Sequence, residues 1–264
     1  MLCYESLSVT DIGNKRKVNQ DNYIALCDNT EHRYIGIYCV ADGMGGLSEG
    51  EYASGLATQK TVEWYKNNLP LLKKILINEN KLKESLNNLF YAINEKIYLY
   101  GKEKNIRIGT TYSLLLLIGN KYYVVHAGDS RIYLKRDGML YMLTKDQTWV
   151  NEQVEQGLMS VQEALTHPKK NVLSNCMGYY EFPSVCTSEG ELLCGDSILL
   201  CSDGLYNLVT VDELSAAMDC RDLEYITGEL LGLVKSRGGF DNITLLMLHI
   251  DEKTGAKSVL EALK

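Results

Sequence analysis

Proline is nearly missing from this chain, at 3 in 264 residues, and no stretch is rich in serine, glycine and proline together. Nothing therefore reads as a linker, and one domain spanning residues 1–264 is expected, long enough to bury a substantial core. Basic charge is also scarce: 27 Lys and Arg stand against 34 Asp and Glu, a net charge of −7. Proteins that bind nucleic acid normally carry a basic face, so that partner is not expected. No apolar run is long enough to cross a bilayer and no apolar leader opens the sequence, which predicts a cytoplasmic protein without a membrane partner. The 8 cysteines include no Cys-x-x-Cys pair. They read as buried thiols of a reducing compartment, neither a disulfide framework nor a zinc site. His32, His126, His167 and His249 lack ligand spacing and read as structural. A P-loop and a twelve-residue calcium loop are both missing, which removes the usual nucleotide triphosphatase and calcium-buffer signatures.

What the chain does have is an aspartate where each of several apolar runs meets a glycine turn. Tyr34 to Ala41 is β-favouring and stops at Asp42-Gly43-Met44-Gly45-Gly46. Tyr122 to Ala127 leads into Gly128-Asp129-Ser130-Arg131, and Ser197 to Ser202 leads into Asp203-Gly204. Gly238-Gly239-Phe240-Asp241-Asn242 opens the run Ile243 to Ile250. Asp-Gly is a common turn dipeptide, and any one of these taken singly is a turn. Four of them, each joined to a long apolar strand, can converge on one end of a sheet. Hard oxygen donors without paired histidines or thiols suit Mg²⁺ or Mn²⁺.

The connections predict the architecture. Gly119-Asn120 and Asp137-Gly138 are hairpin signals between β-rich runs, so neighbouring strands are antiparallel, and a doubly wound dinucleotide fold is disfavoured. Helical spacing over Ser48–Asn68 and Lys81–Tyr100, the latter with Gly101 as its stop, supplies long flanking helices. The class is α+β. Residues 144–178 are polar with short helical pieces, among them the capping box Ser160-Val-Gln-Glu163, and read as a flap over a site. Thr210-Val-Asp-Glu213 caps a further helix, and a charged tail follows the last strand.

If Asp42, Asp203 and Asp241 gather two divalent ions with help from the Gly43 carbonyl, a metal-activated water can attack phosphorus while Arg16 neutralises the phosphate oxygens. That is phosphomonoester hydrolysis without a covalent intermediate. Cys27 to Arg33 has the Cys-x5-Arg spacing of cysteine-dependent phosphatases, but it lacks a glycine cradle, and Asp28 and Glu31 would repel the substrate. A two-metal phosphodiesterase is a third reading, disfavoured by the acidic balance.

The ordered blocks resemble the metal-dependent protein phosphatases, the type 2C serine/threonine phosphatases, and in particular the bacterial stand-alone members. The resemblance runs from about Thr10 to Leu248. It is carried by Thr10-Asp-Ile-Gly13 with Arg16, Asn19-Gln-Asp21, Val40 to Gly46, Gly109-Thr-Thr111, Ala127 to Arg131, Leu143 to Asp146, His167-Pro168 with Asn171-Val-Leu173, Cys201 to Gly204, and Asp241-Asn-Ile-Thr244. It implies a four-layer α-β-β-α sandwich of two antiparallel sheets between helices. It also implies that Asp42 bridges two ions, with the Gly43 carbonyl on one and Asp203 and Asp241 on the other. Asp21 would orient metal-bound water, Arg16 would hold the substrate phosphate, and Asp129 with Asp203 would hold a third, weaker ion. The implied substrates are phosphorylated proteins, dephosphorylated at serine and threonine in opposition to a serine/threonine kinase, and a monomer is expected. The alternative is a catalytically weak phosphoprotein-binding module. Three positions depart from the family: Gln20 stands where glutamate is usual, Met44 where some eukaryotic members have a histidine, and Gln147 where the flap commonly has one.

Overall fold

A computed structural model describes residues 2–252, except 31, 32, 46–48 and 75. In chain order the elements are β1 (Leu2–Asp11), β2 (Asp21–Asn29), β3 (Tyr34–Met44), α1 (Glu49–Leu72), α2 (Glu79–Lys104), β4 (Gly109–Thr110), β5 (Tyr112–Ile118), β6 (Lys121–Ala127), β7 (Arg131–Arg136) and β8 (Met139–Met142). They continue with α3 (Trp149–Glu155), α4 (Val161–Thr166), β9 (Cys186–Glu191), β10 (Ser197–Cys201), α5 (Asp203–Tyr206), α6 (Val211–Ala217), α7 (Leu223–Ser236) and β11 (Ile243–Glu252).

Side-chain alternation along the strands builds the layers. Along β3, Ile35, Ile37 and Cys39 face one apolar cluster, shared with α1 and α2, while Tyr34, Tyr38 and Val40 face another. Along β11, Leu246, Leu248 and Ile250 enter that second cluster, while Ile243, Leu245 and Met247 enter a third, against α6 and α7. Three stacked cores mean four layers, helices outside and two sheets within, as expected. One sheet has the order β1-β11-β10-β7-β8 and the other β2-β3-β5-β6-β9, with every pairing antiparallel. Gly119 (φ 63°) closes the β5–β6 hairpin, and Asp137 and Gly138 (φ 50° and 76°) close β7–β8. Two successive left-handed residues are the requirement of a type I′ turn.

Four expectations need correction. β3 does not stop before Asp42: it runs on through Asp42 and Gly43 to Met44, because β4 supplies a partner, Gly43 pairing with Thr110 and Met44 with Gly109. α1 continues past Asn68 to Leu72, which is fully buried and draws the last turn inward. α2 passes through Gly101, where glycine is a packing residue: a Cβ there would lie 2.8 Å from the Ile108 side chain. The helix ends instead at left-handed Asn105 (φ 54°), whose N–H caps the carbonyls of Gly101 and Lys102. Among the cysteines, Cys3, Cys27 and Cys194 are exposed free thiols, while Cys39, Cys176 and Cys201 are buried. His126 and His249 are buried and hydrogen-bonded, as a structural role requires. Gly46 of the Asp42 turn, Ser48 at the start of the first helical segment, Glu31 and His32, and the charged tail from residue 253 lie outside the described residues.

Candidate metal centre and active site

Strand β3 delivers Asp42 with its backbone pinned on both sides. The Asp42 N–H donates to Thr111 Oγ1 (2.8 Å), and its carbonyl accepts from the Thr111 N–H (2.9 Å) and from Thr110 Oγ1 (3.0 Å). Gly43 follows in a space that admits no side chain: a Cβ would fall 2.0 Å from the Gly50 carbonyl oxygen and 2.7 Å from that of Gln20. The Gly43 N–H donates to the Gln20 carbonyl, fixing the direction of the peptide. Across the β2–β3 pair, Asp21 is the register partner of Asp42.

The other carboxylates arrive from the ends of different elements. Asp129 follows β6 through left-handed Gly128 (φ 106°), whose N–H is held by Gln147 Oε1 at 2.8 Å. Asp203 opens α5, where Gly204 lies so close to the Asn242 carbonyl that a Cβ would sit 1.9 Å from it. Asp241 precedes β11 and accepts the Asn242 N–H on Oδ1. Arg16 reaches from the β1–β2 loop to Asp241 Oδ2 at 2.7 Å.

Arg16, Asp42, Gly43, Asp129, Asp203 and Asp241 all line one polar cavity of about 300 Å³. Six of the seven residues singled out in the sequence are thus brought together from five separate stretches of chain. Asp21 stands behind the cavity wall: it is buried, with Oδ2 accepting from Ser202 Oγ at 2.7 Å and Oδ1 left without a partner. Asp203 Oδ1 is likewise buried and unpartnered.

Electrostatics shows the strain of this gathering. Burial, then the neighbouring Asp21, Asp203, Asp129 and Asp241, hold the Asp42 carboxyl well above its ordinary range. Asp129 is raised by burial and then by Asp203 and Asp146. Burial raises Asp21 to about 6, and burial with Asp241 and Asp21 raises Asp203 to about 7. Arg16 moves the other way, its cation favoured by the bond to Asp241.

The fit to a divalent cation rests on these observations: hard oxygen donors, two orphaned buried carboxylate oxygens, and an excess of like charge that a cation relieves. Among the described residues no three Asp, Glu, His or Cys side chains close into a tight cage by themselves. A roomy cavity with scattered carboxylates suits Mg²⁺ or Mn²⁺, since Mg²⁺ sheds water reluctantly and is commonly held by one or two carboxylates plus its waters and substrate oxygens.

Several residues of the site lie inside the quoted blocks but receive no role from the sequence alone. Asn242 is the knot of the arginine loop: its Oδ1 accepts the Gln20 N–H at 2.9 Å, and its Nδ2 donates to the Ile12 and Val18 carbonyls. Ser202 accepts the Thr244 N–H while donating to Asp21, so it carries β11 and β2 together. Asn171 and Leu173, between α4 and β9, reach the cavity wall. Ser202 and Asn242 lie in the Cys201–Gly204 and Asp241–Thr244 blocks that carry the resemblance, but nothing in those blocks assigns either residue a contact. Gln147 receives a role in the structure as well: besides Gly128, its Oε1 accepts from Asn175 Nδ2 and its Nε2 donates to Cys186 Sγ. Beside it, Arg131 grips Asp146 through Nε and Nη2 (2.9 and 2.6 Å) and lies 3.6 Å from the centre of the Tyr206 ring.

Such donors, set at the joint of two stacked antiparallel sheets, support the chemistry of a divalent-cation enzyme acting on an anion. The chain belongs to the family described as Protein phosphatase 2C, whose profile matches residues 14–223. It is 33% identical over 248 residues to protein phosphatase PhpP of Streptococcus pneumoniae, covering 93% of this chain and 97% of that protein. It is 32% identical over 245 residues to serine/threonine phosphatase stp of Listeria monocytogenes, covering 92% and 94%. Among solved structures, the serine/threonine phosphatase of S. agalactiae superposes with a TM-score of 0.83 at 28% identity, covering 95% of this chain and all of that one. The catalytic domain of the phosphatase PstP, crystallised with 2 manganese ions, gives 0.80 at 28% identity over 96% of this chain and all of that one.

Proposed function

We propose that this protein hydrolyses phosphoserine and phosphothreonine in other proteins, with Mn²⁺ or Mg²⁺ as cofactor. The observation that carries the reading is one cavity lined by Asp42, Asp203, Asp241 and the Gly43 backbone, with Arg16 at its edge. Two ions held there supply Lewis acidity and lower the pKa of the attacking water.

The residues divide the remaining work. Asp42, Asp203 and Asp241, with the Gly43 carbonyl, would hold the two ions, Asp42 being central among the carboxylates. Asp129 with Asp203 suits a third, weaker ion. Asp21, the register partner of Asp42 and tied to Ser202, would orient the attacking water. Arg16 is half exposed and spends its guanidinium on Asp241 Oδ2. With Asp241 given over to an ion, the fork of Arg16 would be available to the phosphate oxygens, for which its planar geometry is suited.

Residues 144–178 form the flap of a single catalytic domain. No helix among the described residues is long and apolar enough to cross a membrane, and we place the protein in the cytoplasm as a monomer, opposing a serine/threonine kinase. A non-catalytic phosphoprotein-binding role is not favoured, because every direct carboxylate donor is in place. The test is phosphate release from a phosphoserine peptide in Mn²⁺, with and without chelator. Metal-independent turnover, or full activity in Asp203→Ala, contradicts the reading.

A further inference from the structure

Next to the polar cavity lies a second one of about 590 Å³, of different chemistry, and the two share Met44, Gly45 and Leu173 as a common wall. Its floor is Ile108 and Cys176, both almost fully buried. Its sides are Trp149, Val172, Tyr179 and Tyr180. The last three are 47%, 39% and 39% exposed, an unusual gathering of large apolar groups at the surface. Such patches, when rimmed by polar groups, mark interaction sites. Polar groups accompany them: Arg107 donates to Tyr179 Oη at 2.7 Å and lies over that ring, Glu152 is part of the lining, and Lys169, outside the lining, sits 4.8 Å from the centre of the Trp149 ring.

The trough is tied rigidly to the chemistry. Its base strand β4 pairs with Gly43 and Met44, and Thr110 bridges to Met177, so the trough and Asp42 move as one piece. Trp149 is held by its N–H on the Val172 carbonyl (2.8 Å) and by contact with His167. We infer that this trough is a docking subsite for the polypeptide flanking the phosphorylated residue, and that it selects a large apolar side chain, aromatic above all, within about three positions of it.

The inference rests on the phosphatase reading and names the substrate class. Continuity with the polar cavity identifies the occupant as the same peptide whose phosphate sits beside Asp42. The charges identify its side chain: these two cations already lie on rings, and the walls are apolar and aromatic, which rewards a neutral ring stacked among them. The volume lies within the usual range of pockets that bury a ligand group, about 300–1,000 Å³.

The experiment walks phenylalanine through each flanking position, from three before to three after a single phosphoserine, in an otherwise Gly/Ala/Ser peptide. Values of kcat/KM in Mn²⁺ are divided by that for p-nitrophenyl phosphate, which has no flanking chain. At one or more positions phenylalanine should raise the ratio over glycine by about tenfold, the scale of an apolar pocket contact, mainly through KM. Trp149→Ala and, separately, Tyr180→Ala should flatten that preference to about twofold or less. A preference flat to within twofold at every position, with the peptides still turned over, overturns the subsite; so does a preference that survives both substitutions. No turnover of any peptide brings down the phosphatase reading itself, and the subsite with it.

Discussion

Asp21 and Asp42 are direct register partners across the β2–β3 pair, one carboxylate facing another at the point where both strands reach the cavity. Like charges directly opposite in a sheet destabilise it, and burial compounds the cost. The protein nevertheless places further carboxylates around the same cavity. An arrangement that opposes folding on its own account is retained where a site needs it.

Asp21→Asn tests that opposition. The amide keeps an acceptor for Ser202 Oγ while removing the charge across from Asp42. The metal-free variant should melt higher than wild type by about 2–4 °C for each kcal/mol of repulsion relieved. Its Mn²⁺-dependent kcat should fall by about 10²-fold or more, the scale of a lost proton-handling group. Calorimetry beside steady-state kinetics checks both. An unchanged kcat removes Asp21 from the mechanism.

Proton release on metal binding follows from the raised carboxyls. Asp203, lifted from 3.8 to about 7, and Asp21, lifted to about 6, hold protons at pH 6 that a cation must displace. The sign follows from where the protons bind: the fold binds them more tightly than the unfolded chain, so these groups cost stability fully above about pH 7, and the cost is gone below 3.8. Apparent Mn²⁺ affinity should therefore weaken as pH falls from 7.5 to 5.5. Calorimetric titrations at pH 6 in buffers of different ionisation enthalpy should show on the order of one proton released per protein. Release near zero would mean that the carboxylates are already ionised and the crowding is not felt.

Gly43→Ala puts a methyl group 2.0 Å from the Gly50 carbonyl oxygen, a backbone atom that cannot swing aside. Overpacking of this kind costs about 1–3 kcal/mol, and the shift it forces falls on the peptide next to Asp42. Loss of Mn²⁺-dependent activity should accompany a lowered melting temperature. Gly232→Ala in α7 is the contrast: apart from its chain neighbours and the helix's own backbone, nothing lies within 4 Å of the added Cβ, and a helix-interior glycine replaced by alanine should gain about 0.5–1 kcal/mol. Equal effects from the two substitutions would contradict the packing argument.

Arg16→Ala separates phosphate recognition from metal binding. Arg16 holds Asp241 Oδ2, an oxygen that a bound cation would also need, so its removal should leave Mn²⁺ affinity equal or tighter while raising KM for p-nitrophenyl phosphate about tenfold or more. A weaker Mn²⁺ affinity with unchanged KM would falsify the assignment of Arg16 to the substrate.

Much of this was legible in the sequence because strand alternation and turn chemistry are local. The two hairpins at Gly119-Asn120 and Asp137-Gly138, the capping boxes at Ser160 and Thr210, and the strand-end aspartates follow from neighbouring residues alone. What was not legible depends on partners far along the chain. β3 runs past Ala41 because Gly109 and Thr110 meet it, and α2 crosses Gly101 because Ile108 needs the space a side chain would take. Asn242 binds Gln20, Ile12 and Val18, each more than 200 positions away. No local pattern encodes such contacts.

The most direct test is phosphate release from a phosphoserine peptide titrated with Mn²⁺, wild type beside Asp42→Ala. Wild type should show saturable activation that chelator abolishes, and Asp42→Ala should stay inactive across the titration while still folded by circular dichroism. Wild-type activity indifferent to Mn²⁺ and chelator, or an Asp42→Ala protein that reaches the wild-type rate, would contradict a metal site organised around Asp42.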